Sequence, residues 1–354
     1  MIRKIQQSVE SRTSILIIYT GGTIGMKKDE ITGALVPFDF SGIYDEFPAL
    51  RRLPVGISVY TMPKLIDSSN AQPSDWCAIA EVIRDNYEAY DGFVVLHGTD
   101  TMSYTASALS FMLDNLSKPV IFTGSQIPIG ILRTDGRENL ITAIEIAGAH
   151  NEAGEPLVPE VALYFQNRLF RGNRTTKLSA EALNAFASFN YGPLADVGVN
   201  IQYNYNAIAN FAPETSGEFH ISESLSNDVV VVKLFPGIRP ATLRAMLLES
   251  GARGVVLETY GAGNAPTSEW FVELVKEAIQ RGVIVVNVSQ CKDGAVQMHL
   301  YETGLALQEA GVVSGHDMTI EAAVTKLMYV LGKNLPLSEA LDLMRRPLRG
   351  EFAL

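Results

Sequence analysis

Short apolar runs alternate with amphipathic stretches through the first half of the chain. Each run has enough consecutive apolar residues for a strand that is covered on both faces. The predicted strands span residues 15–20, 57–62, 93–97, 120–123 and 161–165. Pro73 or Ser74 opens a predicted helix between the second and third strands, and its apolar positions are Trp76, Ile79, Ala80, Ile83, Tyr87 and Tyr90. This alternation is typical of a mostly parallel sheet flanked by helices.

The pattern fades between about residues 200 and 227 and then resumes. New apolar runs predict strands at 229–234, 255–257 and 283–288, and a last helix has an apolar stripe from Ile320 to Leu331. We therefore predict an α/β protein with a larger N-terminal domain (1–205), a linker (206–227) and a smaller C-terminal α/β domain (228–354). The polar residues 1–13 are expected to be mobile.

Composition narrows the class of protein. A chain of 354 residues exceeds what one core usually supports, which favours two domains. The net charge of −11 disfavours nucleic acid and anionic membranes as partners. No apolar run reaches the roughly 18 residues of a membrane span, and residues 1–13 lack the apolar core of a secretory signal. Cys77 and Cys291 are far apart and form no C-x-x-C pair. We expect a cytoplasmic protein.

The first strand runs directly into a glycine turn that carries one hydroxyl, Thr23. Gly21, Gly22 and Gly25 allow a sharp turn and a close approach of the backbone to a ligand. Open α/β sheets bind ligands at the carboxyl ends of their parallel strands, and the turn lies at such an end. A turn of this kind also occurs in loops without chemistry, so it requires a second feature.

A second loop, Gly92-Phe-Val-Val-Leu-His-Gly-Thr-Asp-Thr101, supplies that feature. Its strand ends in Gly98, and two hydroxyls, Thr99 and Thr101, flank the carboxylate of Asp100. Right-handed crossovers place the Thr23 and Thr99 loops at the same edge of the sheet. An alternative is that Thr99 and Asp100 only cap the following helix.

Six motifs together resemble those of the bacterial L-asparaginases, specifically the type I cytosolic branch. The resemblance runs from about Ser14 to Gly350. The motifs are Tyr19-Thr-Gly-Gly-Thr-Ile-Gly25, His97-Gly-Thr-Asp-Thr101, Thr123-Gly-Ser-Gln-Ile-Pro128, Arg171-Gly-Asn-Arg-Thr-Thr-Lys177, Tyr260-Gly-Ala-Gly-Asn-Ala-Pro266 and Asp317-Met-Thr-Ile-Glu321.

The resemblance implies hydrolysis of L-asparagine to L-aspartate and ammonia, without cofactor or metal. Thr23 would be the nucleophile, and nearby backbone N–H groups and Thr99 would stabilise the oxyanion. Thr99, Asp100 and Lys177 match a family set in which the lysine relays a proton. A lysine acts as a base only when burial or like charge lowers its pKa. The alternative for Lys177 is a solvated lysine in a basic loop.

Substrate binding is expected to hold both charged ends of an amino acid. Asp100 would receive the α-ammonium group, and Ser68, Ser69 and backbone N–H groups would take the α-carboxylate. Asp67 would contribute its backbone rather than its charge, and a turn without ligand is the alternative. Gly22 and Gly98 complete this predicted set.

One departure from the family concerns activation of Thr23. Many relatives have a tyrosine on a lid after the first turn, whereas residues 30–37 here contain none. We hypothesise that Tyr301 substitutes for it. Asn264 resembles a residue that reaches the site from a neighbouring subunit, so we expect a homo-oligomer, either a dimer or a dimer of dimers (a homotetramer).

A second departure concerns regulation. Some type I enzymes have a second asparagine site near the positions of Glu258, Ser289, Gln290 and Cys291. The cooperative pattern favours a basic residue at Glu258, so we expect no strong activation by asparagine. The same chemistry also leaves open a glutaminase-asparaginase or a tRNA-amidotransferase-type amidase, although the latter's additional N-terminal domain is not expected here. A non-catalytic amino-acid sensor on the same scaffold is the alternative from a different class.

Overall fold

The computed structural model describes residues 2–4, 13–28, 35–37, 47–209 and 217–353. These residues belong to two compact units. The first comprises Met1–Ser188 and Gly192–Ser222, and the second comprises Phe189–Tyr191 and Glu223–Leu354. The predicted α/β class with a larger N-terminal and a smaller C-terminal sheet is confirmed.

The first unit is built on a nine-stranded sheet within the described residues, in the order β1-β5-β2-β6-β8-β9-β10-β13-β14. The strands from β5 to β9 in this order are parallel, and the strands at both ends are antiparallel. Its members are β1 (Ile2–Lys4), β2 (Thr13–Gly21), β5 (Val55–Ile66), β6 (Gly92–Leu96), β8 (Val120–Thr123), β9 (Val161–Phe165), β10 (Arg168–Arg171), β13 (Ala195–Val197) and β14 (Ile201–Tyr203).

Smaller pairings and helices complete the unit. The two-stranded ribbons are β3 (Met26–Lys28) with β4 (Leu35–Pro37), β7 (Leu113–Asp114) with β15 (His220–Ile221), and β11 (Thr176–Lys177) with β12 (Phe186–Ala187). The helices are α1 (Pro73–Asp85), α2 (Met102–Met112), α3 (Gly136–Ala147) and α4 (Tyr205–Ala209). The central strands β6, β8 and β9 are buried throughout, as uninterrupted apolar runs predict for a sheet covered on both faces.

Three sequence predictions can be compared with the structure. Residues 2–4, within the segment expected to be mobile, form β1 and pair with β5, while residues 5–12 lie outside the described part. Helix α1 ends at Asp85, before Tyr87 and Tyr90, because Asn86 leaves the helix and its Nδ2 donates to the carbonyl of Val82. The predicted linker contains most of α4 and all of β15, and its residues 210–216 lie outside the described part.

The second unit has a four-stranded parallel sheet in the order β16-β17-β18-β19 within the described residues. Its strands are β16 (Val229–Lys233), β17 (Gly254–Thr259), β18 (Ile284–Ser289) and β19 (Val313–Ser314). Its helices are α5 (Pro240–Arg244), α6 (Glu269–Gln280), α7 (Glu302–Ala310), α8 (Ile320–Gly332) and α9 (Leu337–Arg345), and a π-helical turn, Ala245–Glu249, follows α5. No helix among the described residues is long and apolar enough to cross a membrane.

A fully buried ion pair holds the C-terminal segment of this unit. The Nζ of Lys326, in α8, lies 2.6 Å from Oε1 of Glu351, and neither side chain is exposed. Lys326 also donates to the carbonyls of Met344 and Arg346, and Glu351 accepts from the backbone N–H of Leu348. These hydrogen bonds satisfy charges whose burial would otherwise be costly.

Candidate active site

Strands β2 and β6 are neighbours in the sheet. They pair in parallel up to Tyr19 and Leu96, so the turns that follow leave the sheet at the same level. The hydroxyl of Thr20 donates to the carbonyl of Leu96 at 2.9 Å and ties the two ends together. The Thr23 and Thr99 loops therefore share one edge of the sheet, as right-handed crossovers predict.

The two loops approach each other through glycine. Gly22 has a φ of 85°, and a Cβ added to it would lie 2.5 Å from both Cα and N of Gly98. A Cβ on Gly98 would in turn lie 2.5 Å from the hydroxyl of Ser68. A side chain at either glycine would force the loops apart. Thr23, Thr99 and Ser68 are thus carried on three loops packed against one another.

A hydrogen bond from a tyrosine of the sheet holds the turn that carries Thr23. The hydroxyl of Tyr19, in β2, donates to the carbonyl of Gly25 at 3.0 Å, and a Cβ on Gly25 would overlap the Tyr19 ring. Burial raises the pKa of Tyr19 to about 12, which keeps this hydroxyl protonated. Within the described part of the chain, no group is hydrogen-bonded to the Thr23 hydroxyl.

Lys177 lies against both polar groups of the second loop. Its Nζ is 2.8 Å from Oγ1 of Thr99 and 2.7 Å from Oδ1 of Asp100. The side chain of Lys177 is 19% exposed, so it is not a solvated surface lysine, whereas that of Asp100 is 60% exposed. Helix α2 begins at Met102 with Thr101 as its N-cap residue, so Thr99 and Asp100 do not cap it. Both alternative interpretations of these residues are wrong.

The segment that leads to Lys177 is anchored by a second buried ion pair. Arg171, at the end of β10, contacts Glu160 at 2.7 Å and also donates to the carbonyl of Ala207. Arg174, in the following 3₁₀ turn, is buried as well. Burial raises the pKa of Glu160, and the adjacent Arg171 guanidinium opposes this shift. Arg171 therefore anchors this segment from inside the fold.

Gln126 is a site residue that the sequence analysis did not identify, although it lies in one of the six motifs. Its Nε2 is 3.2 Å from the carbonyl of Ala182 and 3.5 Å from that of Ser179. Two acceptors at this end identify it as the NH₂ end of the amide, so Oε1 faces the Thr99 hydroxyl at 3.3 Å. Thr99 can thus accept from Lys177 while donating to Gln126.

The loop after β5 is arranged as a capped turn. The carboxylate of Asp67 accepts from the N–H of Ser69 at 3.1 Å, at the start of the 3₁₀ helix Ser68–Asn70. Ser68 is buried; its hydroxyl accepts from the N–H of Asp100, and its carbonyl accepts from the hydroxyl of Thr101. The charge of Asp67 is therefore used within its own turn, and Ser68 connects this loop to the Thr99 loop.

The remaining predicted residues belong to the second unit. Tyr301 is the exposed N-cap residue of α7. Oδ1 of Asn264 accepts from the hydroxyl of Thr303 at 2.7 Å. Glu258, at the end of β17, lies 3.9 Å from the Nζ of Lys233.

The end of β18 and the turn after it hold the other three residues of the suggested second site. The hydroxyl of Ser289 donates to the carbonyl of Gly261 and accepts from the N–H of Cys291. The Nε2 of Gln290 donates to the carbonyls of Leu234 and Glu258. These hydrogen bonds hold the turn against neighbouring segments of the same unit.

Comparisons with known proteins cover nearly the whole chain. The family model "Asparaginase, N-terminal" matches residues 14–209, and "Glutaminase/Asparaginase C-terminal domain" matches residues 228–344. The chain is 44% identical over 342 residues to L-asparaginase 1 of Escherichia coli (strain K12), an alignment that covers 96% of this chain and 98% of that protein.

Two solved structures are similar to this chain over nearly its whole length. The crystal structure of L-asparaginase I from Vibrio cholerae O1 biovar eltor str. N16961 superimposes with a TM-score of 0.87 at 43% identity, covering 97% of this chain and 100% of that chain. The probable cytoplasmic L-asparaginase from Campylobacter jejuni gives a TM-score of 0.78 at 25% identity, covering 95% and 100%.

Proposed function

Because the chain belongs to the asparaginase family, we propose that it hydrolyses L-asparagine to L-aspartate and ammonia through a β-aspartyl ester on Thr23. The observation that carries the proposal is the contact of Lys177 with both Thr99 and Asp100, on a loop packed against the Thr23 turn. A lysine, a hydroxyl and a carboxylate beside a free threonine hydroxyl suit nucleophilic cleavage of an amide.

The reaction has two steps on this arrangement. The Oγ1 of Thr23 attacks the carboxamide carbon, the C–N bond breaks, and ammonia leaves after accepting a proton. A water molecule then attacks the ester carbon, the bond to Thr23 breaks, and the threonine hydroxyl regains its proton. The group that activates Thr23 takes its proton in the first step and returns it in the second, while Thr99 and Lys177 relay a proton to the leaving ammonia and take one from the attacking water. No cofactor or metal is needed.

The oxyanion of each step requires a hydrogen-bond donor. Within the described residues, the peptide N–H of Thr99 has no hydrogen-bond partner. This N–H lies on the loop that contacts the Thr23 turn, so it is our candidate donor. Removal of one such donor typically costs about 10²–10³-fold in kcat.

Substrate selectivity comes from the charged ends of the amino acid. The exposed carboxylate of Asp100 receives the α-ammonium group. Ser68, Ser69 and neighbouring backbone groups, including that of Asp67, receive the α-carboxylate. The interaction of the Asp67 carboxylate with Ser69 N–H supports a backbone role for Asp67. Gly22 and Gly98 let the ligand approach the backbone.

No described group of the first unit is hydrogen-bonded to the Thr23 hydroxyl, so another group must take its proton. Residues 29–34, where relatives have a lid, lie outside the described part. We keep Tyr301 as the candidate activator. We also propose that the protein is a cytoplasmic homo-oligomer, either a dimer or a dimer of dimers (a homotetramer), with Asn264 contributed by a neighbouring subunit.

Regulation by asparagine is expected to be weak. Glu258 carries a negative charge at the suggested second site and would repel the α-carboxylate of an effector. The rate should therefore rise hyperbolically with asparagine concentration. Steady-state assays from well below to well above KM test this, and a sigmoidal curve would contradict it.

The test of function compares wild type, Thr23→Ala and Thr61→Ala, which replaces an exposed threonine of β5 in the same unit. Coupled assays measure ammonia released from L-asparagine and, in parallel, from L-glutamine. We expect release by wild type and Thr61→Ala and a loss of at least about 10³-fold in Thr23→Ala. Faster turnover of glutamine would favour the glutaminase alternative. Asparagine binding without ammonia release by wild type would favour the sensor and refute the proposal.

A further inference from the structure

Three buried side chains lead from helix α1 to the loop that carries Thr99. The Nε1 of Trp76 is 3.1 Å from the hydroxyl of Thr105, which is 3.1 Å from Nε2 of His97. The Nδ1 of His97 is 2.7 Å from the carbonyl of Gly98. Trp76, Thr105 and His97 are 7%, 0% and 4% exposed. The proposed reaction assigns no role to any of the three.

The directions of these hydrogen bonds follow from the chemistry of the groups. The indole N–H of Trp76 can only donate, so the Thr105 oxygen accepts it. The Nδ1 of His97 faces a carbonyl oxygen and must carry a proton. Burial lowers the pKa of His97, so the ring is neutral and Nε2 is an acceptor. The Thr105 hydroxyl therefore donates to Nε2 rather than to the carbonyl of Thr101, which is 3.3 Å away.

The hydrogen bond from Nδ1 of His97 to the Gly98 carbonyl determines how the following peptide is oriented. The carbonyl of Gly98 belongs to the peptide that links Gly98 to Thr99, and none of the described peptide bonds is cis. In a planar trans peptide the N–H points away from the C=O. A carbonyl held towards His97 therefore directs the unpaired N–H of Thr99 away from the buried ring.

We infer that His97 is a positioning residue that fixes the Gly98–Thr99 peptide plane, and hence the direction of the Thr99 N–H, while Trp76 and Thr105 hold its ring. The inference rests on the proposed function, because that direction affects the rate only if the N–H stabilises an oxyanion. His97 would act through Gly98 and would not contact substrate.

Two amide variants test the roles of the two ring nitrogens of His97 separately. His97→Asn can place its Nδ2 near the position of Nδ1 and keep the donor to the Gly98 carbonyl. His97→Gln can reach the position of Nε2 but loses that donor. We expect kcat to fall about three- to tenfold in His97→Asn, which keeps the donor but loses the contact with Thr105, and about 10²-fold in His97→Gln. KM should be nearly unchanged in both, because only transition-state stabilisation is lost.

A helical threonine variant tests the relay, and a second one is its matched control. Thr105→Val removes a relay hydroxyl, and Thr325→Val removes a buried helical hydroxyl of the second unit that bonds to the carbonyl four residues earlier. We expect about a three- to tenfold lower kcat in Thr105→Val and no change in Thr325→Val. Equal kcat in His97→Asn and His97→Gln, or parallel losses of kcat and melting temperature in both, would overturn the inference.

A readout independent of activity is the ring tautomer. ¹⁵N-histidine NMR of the wild-type protein, with His97 assigned through His97→Asn, should show a proton on Nδ1 and none on Nε2. A proton on Nε2 would overturn the inference whether or not the protein hydrolyses asparagine. Absence of ammonia release by wild type would instead refute the proposed function.

Discussion

Gly22 and Gly98 touch where the two threonine loops meet: a Cβ on Gly22 would lie 2.5 Å from the Cα of Gly98. The residues are far apart in sequence, yet neither tolerates a side chain in this arrangement. The contact explains why a glycine precedes each threonine. In the proposed reaction, it would also set how closely Thr23 and Thr99 approach a shared substrate.

Gly22→Ala should therefore separate the loops. We expect kcat for asparagine to fall by about 10²-fold or more, because displacements of about 1 Å in a site have effects of that size. Gly154→Ala is the matched control, since Gly154 has a φ of 81° and no atom within 4 Å of an added Cβ. Similar activity of the two variants would show that the contact is unimportant for catalysis.

Lys177→Arg tests proton transfer with the charge preserved. A guanidinium group does not give up its proton in proteins, so the relay through Thr99 should fail. We expect kcat to fall by about 10²–10⁴-fold, the usual contribution of a general acid or base. Lys292→Arg, at an exposed position, should leave the rate unchanged. Wild-type turnover by Lys177→Arg would exclude a relay through this residue.

Tyr301→Phe tests the candidate activator of Thr23. Loss of one hydroxyl that acts in the transition state should lower kcat by about 10²-fold and leave melting temperature unchanged, because the side chain is 57% exposed. Tyr205→Phe is the control, at 61% exposure in the first unit. An unchanged kcat in Tyr301→Phe would remove Tyr301 from the mechanism.

The Lys326–Glu351 pair should show strong coupling in stability. Lys326→Met or Glu351→Leu alone leaves a buried charge without its partner, which typically costs about 3–5 kcal/mol in the free energy of unfolding. The double variant removes both charges and should be more stable than either single variant. Denaturant unfolding of the four proteins measures this, and additive losses would indicate that the pair is uncoupled.

Stability should also depend on pH through His97. Burial lowers its pKa from 6.5, while Asp75 and the hydrogen bond to Gly98 oppose the shift. Between the lowered value and 6.5 the unfolded chain binds more protons, so the free energy of unfolding falls as pH falls through this window. The stability of wild type relative to His97→Asn should therefore decrease from about pH 7.5 to about pH 5.5.

The stability difference between wild type and His97→Asn isolates the pH dependence due to His97 from that of other titratable groups. Burial also lowers the pKa of His316, which contributes the same pH dependence to both proteins and cancels in the difference. Chemical denaturation at several pH values provides the measurement. A stability difference that stays constant over the range would mean that the protonation of His97 is not linked to folding.

Local features of the chain determined much of this protein in advance. The runs at 120–123 and 161–165 coincide with β8 and β9, because a strand buried on both faces must be apolar throughout. The glycine turns and their threonines were recognisable because turn conformation depends on neighbouring residues. Helix α1 was predicted too long, because Tyr87 and Tyr90 have helical spacing although they lie beyond Asn86.

Tertiary structure alone decided which side chains meet. Lys177 contacts Thr99 across 78 positions, and Gln126 faces the same hydroxyl from a third loop. His97, which looked like the end of a strand, is connected through Thr105 to Trp76. Such contacts depend on strand order and on the packing of loops at one edge of the sheet. Hydrophobic periodicity carries no information about them, because it reports only which face of each element is buried.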